Sequence, residues 1–179
     1  AMPGLRVIRP ADANEVAQAW RVHLDGEGPT AIILTRQKIP VLEGTAERCA
    51  DGVAAGAYTL VDEASGAPEL VLVGTGSEVS LCVEAREVLA ADGISVRVVS
   101  MPCWELFEAR SPGDRDGVLP PGVPTLAVEA GATFGWDHYA DEVIGIDHFG
   151  ASAPGAAAMA HFGFTAEHVT ERARALLGR

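Results

Sequence analysis

Basic residues are scarce in this 179-residue chain: 13 Lys and Arg stand against 25 Asp and Glu, a formal net charge of −12. No stripe of cations is available to neutralise a phosphodiester backbone, which excludes general nucleic-acid binding. Cysteine is equally thin. Cys49, Cys82 and Cys103 make no C-x-x-C pair and leave an odd thiol, so neither a disulfide framework nor a structural zinc site is expected. No apolar run nears the roughly 20 residues that cross a bilayer, and no membrane partner is expected. The opening AMPGLRVIRP lacks the charged head, apolar stretch and cleavage site of a secretory leader. With the unpaired thiols this points to the cytoplasm. What the chain does have is an ordinary globular composition, 48% hydrophobic and 21% charged, which suffices for a packed core.

Leu5–Ile8 reads as a short strand. Pro10 and Asp12 then open a helix, with Asp12 as N-cap and Glu15 in capping-box position three residues on. Val16, Ala17, Trp20 and Leu24 recur at helical spacing and predict one buried face. Beyond the breaker Asp25–Pro29, the run Thr30–Thr35 (TAIILT) has the character of a strand buried on both faces. This is a β-α-β unit. A two-stranded sheet is marginal in water, so the rest of this unit's domain is expected to be absent or supplied by a partner, and the unit is expected to pack on the C-terminal part of the chain or to pair with another copy.

Lys38–Val53 mixes Pro40, Gly44 and Gly52 with polar residues and has no clean period, so it reads as a linker. The pattern then becomes regular. Strands are predicted at Ala57–Val61, Leu70–Val73, Ser95–Val99, Thr125–Val128 and Val143–Ile146, and helices at Glu78–Ala91, near Trp136–Glu142 and at Thr165–Leu177; Pro102–Pro124 reads as polar and irregular. Strands alternating with helices imply an α/β fold. The expected architecture is an open, mostly parallel but mixed five-stranded sheet with helices on both faces, preceded by a truncated β-α-β unit. The expected division is 5–37, a linker at 38–52, and 53–179.

Two places could carry chemistry. Gly74-Thr75-Gly76-Ser77-Glu78 is a tight turn between an apolar strand and a helix, where backbone N–H groups attract anions. Thr75, Gly76 and Ser77 are therefore anion-binding candidates, although Val79 replaces the third glycine of a dinucleotide fingerprint and no P-loop lysine is present. The competing reading has Thr75 or Ser77 simply capping the helix. The second place is Arg36, directly after TAIILT. If strand geometry persists, Arg36 and Lys38 share a face at the carboxyl edge of the sheet, where ligands of open α/β folds gather. A guanidinium fork suits a phosphate monoester, and an ordinary surface salt bridge is the alternative.

The remaining candidates are weaker. Cys103 has no base beside it and reads as a buried structural thiol, and the five histidines show no metal-ligand spacing. Glu129, after a strand and before Ala130-Gly131, could act as a general base or accept hydrogen bonds across a domain boundary, and an N-cap or interface role is favoured over general-base work. No serine sits in a G-x-S-x-G elbow.

In order along the chain, IRPADANEVAQAW, ILTRQKIPVLEG, GTGSEVSL, RVVSMPCWELFE, VLP, VEAG followed by Gly135-Trp136, FGASAPG and FGFT resemble the terminal part of the transketolase family. The resemblance spans almost the whole chain. It implies that residues 5–37 end a pyrimidine-binding domain and that 53–179 form the transketolase C-terminal domain. It further implies a homodimeric enzyme that moves a two-carbon ketol unit between sugar phosphates with thiamine diphosphate and magnesium. The resemblance also implies a role for Arg36, whose T-R-Q context matches the family's arginine that grips the sugar phosphate. The family's diphosphate and metal motif and its activating glutamate have no match here, so this piece is expected to bind no cofactor and to be inactive alone. Deoxyxylulose-phosphate synthases and 2-oxoacid dehydrogenase β subunits share the final domain, but ILTRQ together with FGASAPG and FGFT favours transketolase. A stand-alone anion-binding or subunit-docking module is the reading from a different class.

Overall fold

The computed structural model describes residues 2–62 and 67–179; Ala1 and residues 63–66, inside the predicted C-terminal unit, lie outside the described set. Strand β1 (Arg6–Ile8), helix α1 (Ala13–Asp25) and strand β2 (Thr30–Ile32) form the expected β-α-β unit, with β1 and β2 parallel. Asp12 caps α1 by accepting from Glu15 N at 3.0 Å. The capping box is modified. Glu15 reaches past the N-cap to accept from Ala11 N at 2.7 Å.

The buried face of α1 differs from the periodic apolar stripe. Glu15 and Ala19 are buried, whereas Trp20 is 51% and Leu24 74% exposed. The helix is oriented by its polar N-terminal anchor. Glu15 also accepts from Tyr58 Oη at 2.7 Å and Ser100 Oγ at 2.6 Å, and Asp12 accepts from Leu42 N and Thr45 Oγ1. β2 is likewise shorter than TAIILT. Its ladder ends at Ile32 with one further bond from Ile33 N to Ile8 O, and Ile33 and Leu34 are half-exposed because a two-stranded sheet offers no neighbour to cover them.

The predicted linker contains a helix, α2 (Thr45–Ala54), which packs Cys49 and Val53 against Tyr58, Leu60 and Ile8. After it come β3 (Tyr58–Val61), β4 (Leu70–Gly74), a 3₁₀ turn at Gly76–Glu78, α3 (Val79–Ala91) and β5 (Val96–Ser100). The stretch read as irregular carries two short helices, α4 (Trp104–Glu108) and α5 (Pro112–Val118). β6 (Thr125–Val128), β7 (Glu142–Ile144), α6 (Gly155–His161) and α7 (Ala166–Leu176) complete the chain.

The main sheet has the order β3-β5-β4-β6-β7 and is parallel except for β3, which runs antiparallel to β5 at one edge. Alternation sorts the strand residues onto two faces. Leu70, Leu72, Val96, Val98, Leu126 and Val128 meet α3 and α7 on one side. Val71, Val73, Val99 and Ala127 meet Phe107, Val118 and Trp136 on the other. All five residues of β4 are buried, as a central strand covered by helices requires.

Candidate functional site

The carboxyl ends of β1, β2, β4 and β6 converge. β1 leads into Arg9, whose backbone is held on both sides: its N–H donates to Pro102 O at 2.9 Å, and its carbonyl accepts from Gly76 N at 3.0 Å. The Arg9 side chain then spans two carboxylates. It pairs with Glu78, after β4, at 3.0 Å and with Glu129, after β6. Glu78 is 1% exposed and also accepts from Ala130 N at 3.1 Å, while Glu129 accepts from the indole N–H of Trp136. A buried carboxylate is tolerable only when paired and hydrogen-bonded, and Arg9 provides the countercharge.

Gly76 fits this arrangement for a backbone reason. Its φ is +62°, and a Cβ there would lie 3.3 Å from the Arg9 guanidinium. The two candidate loops are adjacent. Gln37, just beyond Arg36, donates from Nε2 to Ser77 Oγ at 3.1 Å, Thr35 donates to Gln37 Oε1, and Ser77 Oγ donates to Glu78. Between the loops lies a cleft of about 230 Å³.

Each sequence candidate has a definite place. Arg36 is exposed, and among the described residues it has no hydrogen-bond or ion-pair partner. Strand geometry does not persist to Lys38, because the chain bends at Arg36 and Gln37, so the shared-face argument for that pair lapses. Thr75 and Ser77 make no side-chain cap, since a 3₁₀ turn precedes α3 and Ser77 faces Glu78 and Gln37. Cys103 is buried and its thiol is pushed up to about 12, chiefly by desolvation. Glu129 takes its boundary role through Arg9. Arg9 itself was missed, although an arginine and a proline directly after a short strand mark a side chain at a sheet's carboxyl edge.

Comparison with known proteins identifies the fold and the sequence together. Residues 56–165 match the transketolase-like C-terminal domain family, and residues 1–41 match the transketolase pyrimidine-binding domain. The chain belongs to the transketolase family. It is 53% identical over 184 aligned residues to a transketolase of Geobacillus stearothermophilus, covering 100% of this chain and 28% of that protein. A solved transketolase from Leishmania mexicana superposes with a TM-score of 0.93 at 44% identity, covering 99% of this chain and 26% of that one. A Pichia stipitis transketolase in complex with sedoheptulose 7-phosphate superposes at 0.92 with 40% identity, covering 99% and 26%. The chain thus spans only about a quarter of the length of these transketolases.

Proposed function

We propose that this chain is the C-terminal portion of a transketolase, with 5–37 closing the pyrimidine-binding domain, 38–52 connecting, and 53–179 forming the C-terminal domain. The enzyme of which it is part transfers a two-carbon ketol unit between sugar phosphates, works in the cytoplasm and is a homodimer. Within this chain Arg36 is the substrate contact. The observation that carries the reading is an exposed guanidinium at the carboxyl edge, in the T-R-Q context and without a partner among the described residues, while the chain on both sides of it is tied down. Its fork of donors suits a phosphate monoester, and no carboxylate among the described residues competes for it.

Thiamine diphosphate and magnesium, implied by family membership, find no cradle among the described residues. The Gly76 N–H is committed to Arg9 O, and the Glu78 carboxylate stands beside the turn, where it would repel a diphosphate. Among the described residues no three His, Cys, Asp or Glu side chains converge as metal ligands. On the family resemblance, both groups belong to parts of the enzyme outside this chain. Gly76 and Ser77 then serve contact between the N-terminal unit and the main sheet rather than anion binding, and Thr75 leads into the same turn.

The test has two arms. The purified 179-residue chain, given thiamine diphosphate, magnesium, a ketose phosphate and an aldose phosphate, should transfer no ketol unit; turnover would refute the reading. In the full-length enzyme, Arg36→Ala should raise the apparent KM for phosphorylated sugars by the loss of a charge-assisted contact of ~1.5–3 kcal/mol. Equal loss with unphosphorylated substrates would contradict that role. Saturable sugar-phosphate binding by the chain alone would favour the stand-alone anion module instead.

A further inference from the structure

We infer that Ser77, on the main sheet's side of the cleft, is the positioning residue that aims Arg36; the inference rests on the reading of Arg36 as the phosphate contact. A serine hydroxyl has one proton to donate. Ser77 gives it to Glu78, so toward Gln37 its oxygen can only accept. That fixes the Gln37 amide, with Nε2 toward Ser77 and Oε1 toward Thr35, which donates to it. Residues 35 and 37 are both restrained, and Arg36 projects between them with its own side chain unengaged among the described residues.

The relay ends on a firm anchor. Glu78 is 1% exposed and is held by Arg9 and Ala130 N, so the direction of the Ser77 proton is set by a carboxylate that cannot turn away. No such restraint comes from β2, whose ladder has already ended. The segment carrying Arg36 is exposed, and left to itself it would sample many conformations, a cost that binding would then have to meet. Ser77 removes that cost before the substrate arrives. The main sheet thus contributes to phosphate recognition without touching the phosphate.

The experiment compares Ser77→Ala, Ser77→Thr and Arg36→Ala in the full-length enzyme. It reads the ratio of KM for a phosphorylated aldose acceptor to KM for its unphosphorylated counterpart, and amide exchange over residues 33–38. Ser77→Ala should raise the KM ratio about three- to tenfold, the worth of one hydrogen bond, and speed exchange over 33–38. Ser77→Thr, which keeps the hydroxyl, should restore both. If Arg36→Ala raises the ratio while Ser77→Ala leaves it and the exchange unchanged, the positioning role is wrong and the Arg36 reading stands. If Arg36→Ala leaves the ratio unchanged, both fall.

Discussion

Arg9→Met removes the charge that joins the N-terminal unit to the main sheet while keeping most of the apolar stem of the side chain. Glu78 would keep the Ala130 N–H and the Ser77 hydroxyl but lose its countercharge at 1% exposure. Breaking a buried pair from one side costs about 3–5 kcal/mol. Arg9 itself is 20% exposed, and water on that side screens part of the interaction, which favours the lower end, ~3 kcal/mol. Glu129 adds little to the loss, because it is 17% exposed and retains the Trp136 indole. The assay is equilibrium urea unfolding at neutral pH of the single variants Arg9→Met and Glu78→Gln and of the double variant. The double variant should lose less than the sum of the singles, since the second change removes the charge stranded by the first. A loss below about 1 kcal/mol for Arg9→Met, or strict additivity in the cycle, would refute the argument that this pair is a buried clamp.

Three other outcomes are expected from the same packing. Gly56 has φ +82°, and a Cβ there would sit 2.2 Å from Phe107 N and 2.4 Å from Cys103 O, so Gly56→Ala should cost at least ~2 kcal/mol in urea unfolding. Burial raises the Glu15 carboxyl above its ordinary 4.5, with Asp12 adding to the rise and Ser100, Ala11 and Tyr58 opposing it. A raised folded-state value means that the favourable contribution is complete below 4.5 and is lost as pH climbs through the folded-state value. The native chain should therefore lose stability relative to Glu15→Gln over that window, and a flat or rising difference in urea midpoints would contradict it. Burial raises the thiols of Cys49, Cys82 and Cys103 alike, so iodoacetamide should leave all three unmodified at mildly alkaline pH until urea is added.

The parts of the fold that were legible in the sequence are those where burial and periodicity agree. β4 is a continuous apolar run ending in glycine, β6 is bounded as its apolar residues suggest, and Asp12 caps its helix through a side-chain oxygen. α2 escaped notice because its N-cap is Gly44 in the left-handed region and its inner face is made of small residues, Thr45, Cys49 and Gly52, beside Val53. Their spacing is helical, but little of it is hydrophobic; Gly52 is there because the Tyr58 ring lies where its Cβ would be. α6 buries none of its residues, so it has no amphipathic signature to find. α1 shows the opposite failure. Its apolar stripe is plain in the sequence, yet a buried polar network involving Glu15 and Asp12 decides which side faces inward.

The candidate site was half legible for a related reason. The glycine turn and Arg36 were visible as local motifs, whereas Arg9 meets Glu129 across 120 positions and Glu78 across 69, a proximity that only the closed fold creates.

The contact between Trp136 and Glu129 gives the molecule a built-in optical gauge. The carboxylate that accepts the indole hydrogen bond also grips Arg9, and the ring is wholly shielded from water, so the Trp136 share of an ultraviolet emission divided with Trp20 and Trp104 depends on the local field of that ion pair. Separation of the amino-terminal lobe from the large sheet would alter this field directly, letting a spectrofluorometer follow the parting of the two lobes with no dye attached.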